Sequence, residues 1–482
     1  MILNTFKRNI WIISFGFIFA IFSSNYNFYF ESNQNTYLLH AFLLRNPDAL
    51  TADWYSNTVD GTPVFSYVTS FLFELGNLFV INFNKFFEIL FFIFLAKIIL
   101  KEHPRAEQLQ LSLIVLLLAF LSNLYPEFLW GVKRQFILGH IYQPSIFGVL
   151  YLPALYFYLK GKNFLALLLI FTATLFHPSL FFTSASIGLI FLINLKNQRK
   201  RILFFILGAT SLLPTIFYTY MNIYDPKFSE IAAEILVNYR IPHHADLMSF
   251  GERDIARILV LVIASFLSRD LLLKKIFIFA AGLMLIYLLL FILIDSNSLY
   301  LLFPLRISIL LVPVALALIF VEFFIKVKNY IFKSRSNKNI LFFSILITLI
   351  FAFMNVKIIF NKKINPYLNW VPFANPEMVW LTPINDPSGG FVQGIRLNLL
   401  QPIFVDKKSH PINNKEIAEW KRRIDLTNMF YLAKNKNEQI SALEKINRIS
   451  EIKYILIDKS QSLFIGSEIV FSYYNLELHQ IN

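Results

Sequence analysis

Three aspartates, Asp48, Asp53 and Asp60, lie within "NPDALTADWYSNTVDGTPVF" (46–65), directly after a strongly apolar stretch. A carboxylate within hydrogen-bond reach of a hydroxyl can take its proton, so this segment is the first candidate for chemistry. Their neighbours tell the three apart. Asp48 follows Pro47 in the manner of a helix cap. Asp60 precedes Gly61, the pattern of a turn. Asp53 precedes Trp54 and Tyr55, has no evident capping duty, and is the preferred functional candidate of the three.

Candidate anion ligands are scattered further along. Arg306 follows Pro304 inside the apolar run "LYLLFPLRISILLVP" (299–313). It either snorkels to the interface or faces a cavity as a phosphate or carboxylate ligand. Lys133 and Arg134 form a basic pair in a loop otherwise poor in cations, and His177 stands alone in "FHPS" (176–179). Arg240, His243 and His244 share "YRIPHHADLMSFGERD" (239–254). Adjacent histidines in an extended strand point to opposite sides, so this pair suits a polar recognition loop better than joint metal ligation.

Composition sets the frame that must position these groups. Of 482 residues, 56% are hydrophobic and 15% charged, against about 25% charged in an ordinary soluble domain. Apolar runs recur at 9–28, 64–80, 84–100, 110–125, 144–160, 163–177, 179–195, 202–222, 254–268, 276–294, 299–325 and 339–358. Crossing a hydrocarbon core of about 30 Å takes some 20 such residues, so the fold class is a polytopic α-helical membrane protein. The net charge of +14 sits in short loops between these runs, which argues against nucleic acid as partner and for the bilayer. The chain has no cysteine, which excludes disulfides, thiol catalysis and cysteine metal sites. The first run follows Lys7 and Arg8 without a small-residue cleavage site and reads as an uncleaved signal-anchor helix.

Basic loops belong on the cytoplasmic side. If all twelve runs span, "KEHPR" (101–105) and "LKNQRKR" (195–201) fall outside. Laying 64–80 along the outer surface repairs both and brings "KGK" (160–162), "SRDLLLKK" (268–275) and "KVKNYIFKSRSNK" (326–338) inside as well. The expectation is therefore about 11 spans, with the N-terminus inside. Residues 29–83 form a long outer loop carrying an interfacial helix near 63–76. The transmembrane domain covers 1–359. Residues 360–482 form an extracytoplasmic domain, in a bacterial inner membrane.

The tail changes in kind. "PIFVD" (402–406), "YILID" (454–458) and "SEIVFSYY" (467–474) read as strands, and 414–434 and 437–449 as amphipathic helices. That alternation predicts a small α/β domain with Arg396 near its start. "PSGG" (387–390) lacks the rest of a phosphate-loop motif and reads as a turn.

The order of parts, together with "YLLHAFLLRNPDALTADWY" (37–55), "LFHPSLFF" (175–182), "YRIPHHADL" (239–247) and "RLNLLQPIFVDKKSHPINNKEIAEWKRRI" (396–424), resembles the GT-C superfamily of membrane glycosyltransferases. More narrowly it resembles a family of bacterial polytopic membrane proteins. The wider resemblance implies transfer of a sugar from a polyprenyl-phosphate carrier to an extracytoplasmic acceptor, with inversion. It implies an acidic residue of the first outer loop as base, which falls on Asp53. Arg306, Lys133 and Arg134 would hold the donor phosphate. Asp48, Asp60, His177, Arg240, His243, His244 and Arg396 would border the substrates. Many members pair acidic residues side by side in that loop; here they are separated. Which one acts, and whether a divalent metal ion takes part, stay open at this point. The rival readings are a transporter or flippase, and a non-catalytic assembly protein of envelope polysaccharide. No internal repeat of the kind transporters show is evident.

Overall fold

The computed structural model describes residues 2–22, 27–103, 108–139, 141–246, 250–331, 365–384, 390–461 and 463–481. Runs rich in Leu, Ile and Phe on every side form helices because a helix satisfies its own backbone polar groups where water is absent. Four helices among the described residues are long and apolar enough to cross a bilayer: Asn77–Glu102, Gln198–Ile223, Leu271–Ile294 and Asn297–Lys326. Their outer faces carry an exposed belt that includes Phe205, Phe217, Leu289 and Leu293. An apolar surface that extensive is unsuited to water and suited to lipid, so the helical part is integral to a membrane.

The eleven-span expectation is not met by length. Asn163–Phe176 and Phe181–Asn194 have 14 residues each, about 21 Å, short of a hydrocarbon core. The break between them lies at His177–Pro178, where proline cannot continue the preceding helix. The predicted span at 339–358 lies outside the described residues, as does the "PSGG" turn except Gly390.

The segment expected along the surface is two short helices, Pro63–Leu72 and Asn77–Ile81, separated by Gly76 at φ 103°. Phe65, Ser66, Thr69 and Ser70 pack inward while Val64, Tyr67 and Phe71 are exposed. Loops assigned to one side of the membrane by charge also meet one another. Lys101 pairs with Asp270, and the Glu102 carboxylate accepts from the amides of Arg269 and Asp270. Segments assigned to the other side converge on the cavity described below.

The C-terminal unit is a four-stranded sheet in the order β1-β2-β4-β3, with β1 Val379–Leu381, β2 Ile452–Asp458, β3 Ser467–Tyr473 and β4 Leu476–Ile481. β1 and β2 are parallel and the other pairs antiparallel. Helices Asn414–Tyr431 and Lys436–Asn447 match the sequence reading, capped by Asn413 and Asn435. The predicted strand at 402–406 is reduced to a bridge between Ile403 and Trp380, because Asp406 turns the chain away. Trp54 packs against both the helical core and the core between sheet and helices, joining the two units.

Val132 donates its N–H to Ser308 Oγ (2.8 Å) at the start of a long helix. A Cβ on the preceding Gly131 would lie 2.5 Å from Ser308 Oγ and 2.9 Å from the Ile309 nitrogen. The Gly131→Ala protein should therefore be less stable by about 1–3 kcal/mol, read as a lowered melting temperature in detergent.

Candidate functional site

A cavity of about 590 Å³ opens where the membrane helices, the first loop and the C-terminal domain meet. Its walls come from six stretches: 33–62, 135–145, 177–180, 219–244, 298–309 and 408–417. Three cations, Arg240, Arg306 and Lys408, line it together with five histidines and with Asp60, the one carboxylate in the lining among the described residues. Asp60 is oriented by its own turn: Thr62 N–H donates to Asp60 Oδ1 (2.8 Å) and the Tyr218 hydroxyl donates to the Asp60 carbonyl. His40 lies close enough for Asp60 to oppose the burial that lowers its pKa.

Asp53, the residue preferred from sequence, is not in this cavity. It is fully buried and engaged at both oxygens. Arg396 Nε donates to Oδ2 (2.8 Å), Ile403 N–H to Oδ2 (2.9 Å) and Ser56 N–H to Oδ1 (3.0 Å). The Arg396 Nη1 group also donates to Asp406 Oδ2. Burial opposes the charge on Arg396, but the two carboxylates outweigh burial and raise its pKa. A carboxylate held this way has no room for an acceptor hydroxyl, so Asp53 is corrected from base to structural anchor. Arg396 is corrected with it, from a substrate contact to the clamp between two aspartates.

The clamp positions catalytic candidates on the far side. Asp406 Oδ1 accepts from the amides of Lys408 and Ser409, both at 2.7 Å, which fixes the turn that carries Lys408 and His410 to the cavity wall. Arg240 Nη2 donates to the Lys408 carbonyl (2.8 Å), and its Nε has no hydrogen-bond partner among the described residues. A buried guanidinium donor left without an acceptor is costly, which is the condition of a site awaiting an anion. Burial lowers the pKa of both Arg240 and Lys408. Arg306 faces the cavity rather than the interface. Its Nε donates to Gln135 Oε1 (2.6 Å), its Nη1 to Ser179 Oγ (2.7 Å), and its guanidinium lies 4.1 Å from the Phe303 ring centroid.

His177 borders the cavity, 2.8 Å from Ser179 Oγ through Nε2. His243 and His244 sit on a helical turn, Pro242–Ala245, not a strand, and both border the cavity with rings 4.0 Å apart. Burial pushes His244 and His410 down to about 3, so both are neutral near pH 7. Among the described residues no three His, Asp or Glu side chains converge to hold a metal ion.

Three other expectations are corrected. Lys133 and Arg134 do not line the cavity. Both adopt positive φ, the Lys133 amide donates to Asp254 Oδ1 (2.7 Å), and its carbonyl lies 3.0 Å from His244 Nδ1, so the pair shapes the loop that presents Gln135. Asp48 is exposed in a turn away from the cavity. Sequence reasoning missed Lys408, His410, Gln135 and His40. The "DKKSH" run (406–410) was visible, but nothing local in sequence ties it to the first loop; its ties are distant ones, through Arg396 to Asp53 and through Ser409 to Thr36.

Comparisons with protein-family models and with curated proteins give no match. Among solved structures, the chain is similar to a crystal structure of the Archaeoglobus fulgidus oligosaccharyltransferase tethered to an acceptor peptide containing the NVT sequon, at 12% identity and a TM-score of 0.44. The match covers 95% of this chain and 70% of that one. Similarity at that level carries no activity from one protein to the other.

Two outcomes test this geometry. Replacing Arg396 by Met leaves the buried carboxylates of Asp53 and Asp406 uncompensated and should cost about 3–5 kcal/mol, measured as a lowered melting temperature, whereas Asp53→Asn keeps the Arg396–Asp406 pair and should cost less. His244 and His410 stay neutral when folded, while in the unfolded chain they charge below about 6.5. The unfolded state then binds more protons, so stability falls as pH drops from about 6.5 towards 3, by about 1.4 kcal/mol per pH unit for each histidine. His410→Gln should flatten that slope in pH-dependent melting.

Proposed function

We propose that the protein is a membrane glycosyltransferase that moves a sugar from a lipid-linked phosphate to an acceptor hydroxyl, with Asp60 as the general base. The observation that carries this reading is that one carboxylate and three cations share the lining of one cavity among the described residues. An anionic donor needs the cations, and an attacking hydroxyl needs the carboxylate.

Arg240 and Lys408 would receive the phosphate, with Arg306, held by Gln135 and Ser179, as the third cation of the cavity. The acceptor oxygen attacks the anomeric carbon on the face away from phosphate and inverts it. Its proton passes to Asp60. The bond from the anomeric carbon to the phosphate oxygen breaks, and its electron pair leaves with the phosphate. Thr219, Ile223 and Tyr224, at the end of the lipid-exposed helix Gln198–Tyr218, line the same cavity and suit a route for the carrier tail. The separation of Asp60 from the buried Asp53 also answers the spacing of the first-loop aspartates: one anchors and one faces substrate.

In proteoliposomes supplied with a panel of polyprenyl-phosphate hexoses and pentoses, Asp60→Asn should lower transfer by about 10²–10⁴-fold without loss of folded protein. Asp48→Asn should leave transfer unchanged. Full turnover by the Asp60→Asn protein would remove Asp60 as the base.

A further inference from the structure

A second cavity, about 520 Å³, lies on the C-terminal domain against the first loop and shares no residue with the one above. Its wall is aromatic. Tyr367 stacks on Phe391 at 4.8 Å, Trp370 packs on Phe391 at 5.1 Å, and Tyr29 meets the Tyr367 edge at 5.7 Å. Gly394 is required for this wall, because the Tyr367 ring lies where its side chain would be. Glu31, Gln393 and Asn475 supply polar groups around the rings.

Two features are not explained by folding. Trp370 is fully buried, yet its indole N–H has no hydrogen-bond partner among the described residues. An unmet buried donor costs about 1–3 kcal/mol. Tyr474 opens the two-residue turn between β3 and β4 at φ 53°, where hairpins favour Gly or Asn. Its side chain is 77% exposed and lies 4.4 Å from the Tyr473 ring, so a large ring is held out at the cleft mouth at a conformational cost.

We infer that this cleft binds a saccharide. Sugar rings offer apolar C–H faces to aromatic rings and hydroxyls to carboxylate and amide groups, which is the composition of the wall and rim. A hydroxyl entering the cleft would also bring an acceptor for the Trp370 N–H. Phe391 and Arg396 lie on one helix, Phe391–Leu399, about 7.5 Å apart along its axis. The saccharide site therefore adjoins the clamp that shapes the transfer cavity. On the proposed function, the bound glycan is the acceptor side of the reaction; the binding itself does not depend on that reading.

The test is an array of neutral, amino and acidic oligosaccharides probed with the full chain in labelled nanodiscs. Retention of at least one glycan is expected, with about tenfold weaker binding for Tyr474→Ala and for Tyr29→Ala. No retained glycan, or retention by both variants equal to that of the unsubstituted protein, overturns the inference. Quenching of the Trp370 signal by brominated lipid, taken as the difference from Trp370→Phe, would make the rings a bilayer-interface belt and also overturn it. Because binding is read without transfer, failure here is distinct from failure of Asp60 as the base.

Discussion

The guanidinium of Arg396, buried between Asp53 and Asp406, is the interaction on which the arrangement of both cavities depends. It reaches a first-loop carboxylate 343 residues away in the chain and ties it to one of the C-terminal domain. A buried ion pair is weak evidence for net stability, since desolvation offsets much of the attraction. Its value here is geometric. Each carboxylate carries a second load: Asp53 fixes Ile403 and Ser56, and Asp406 fixes the amides of Lys408 and Ser409. The two loops, joined also by Thr36 to Ser409 and by Val59 to Glu416, are thereby held in one register, and Asp60 of one and Lys408 of the other line the same space.

The cavity is then an electrostatic consequence of burial. Arg240 and Lys408 keep their charge in surroundings that disfavour it, and His244 and His410 give theirs up. Neutral imidazoles add hydrogen-bonding capacity without adding to the repulsion among the cations. An anion entering this space meets donors held in place by Gln135, Ser179 and the Lys408 carbonyl. Little reorganisation remains for the moment when charge develops on a leaving group.

Much of this was legible from residues alone, and the failures have a common cause. The membrane class follows from composition, and the unit of strands and helices at the C-terminal end from periodicity. Asp60, Arg306, His177, Arg240, His243 and His244 were all named, and all border the cavity. What misled was the inference that an aspartate without a capping role is free for chemistry. Asp53 has no local partner because its partner is Arg396, and sequence spacing carries no sign of a pair so distant. Asp60 was set aside for preceding Gly61, yet a turn is where an acid can be both held and presented. Lys133 and Arg134 were chosen for their charge, whereas their positive φ values make them useful as backbone. The break at His177–Pro178 was legible as a turn, but the helices on either side of it, 14 residues each, are shorter than their apolar runs suggest.

The helix Phe391–Leu399 joins these observations. One end supplies Phe391 to the aromatic wall and the other supplies Arg396 to the clamp. Asn398 of the same helix accepts from the Phe30 amide at 2.9 Å and donates to the Phe30 carbonyl, also at 2.9 Å, so it pins the first loop beside the aromatic cleft. Any force applied at the wall reaches the ion triad through a rigid element of nine residues. The triad in turn sets the turn carrying Lys408. A ligand seated on the rings would therefore bias the cavity by as much as it prefers one placement of this helix over another, and by no more.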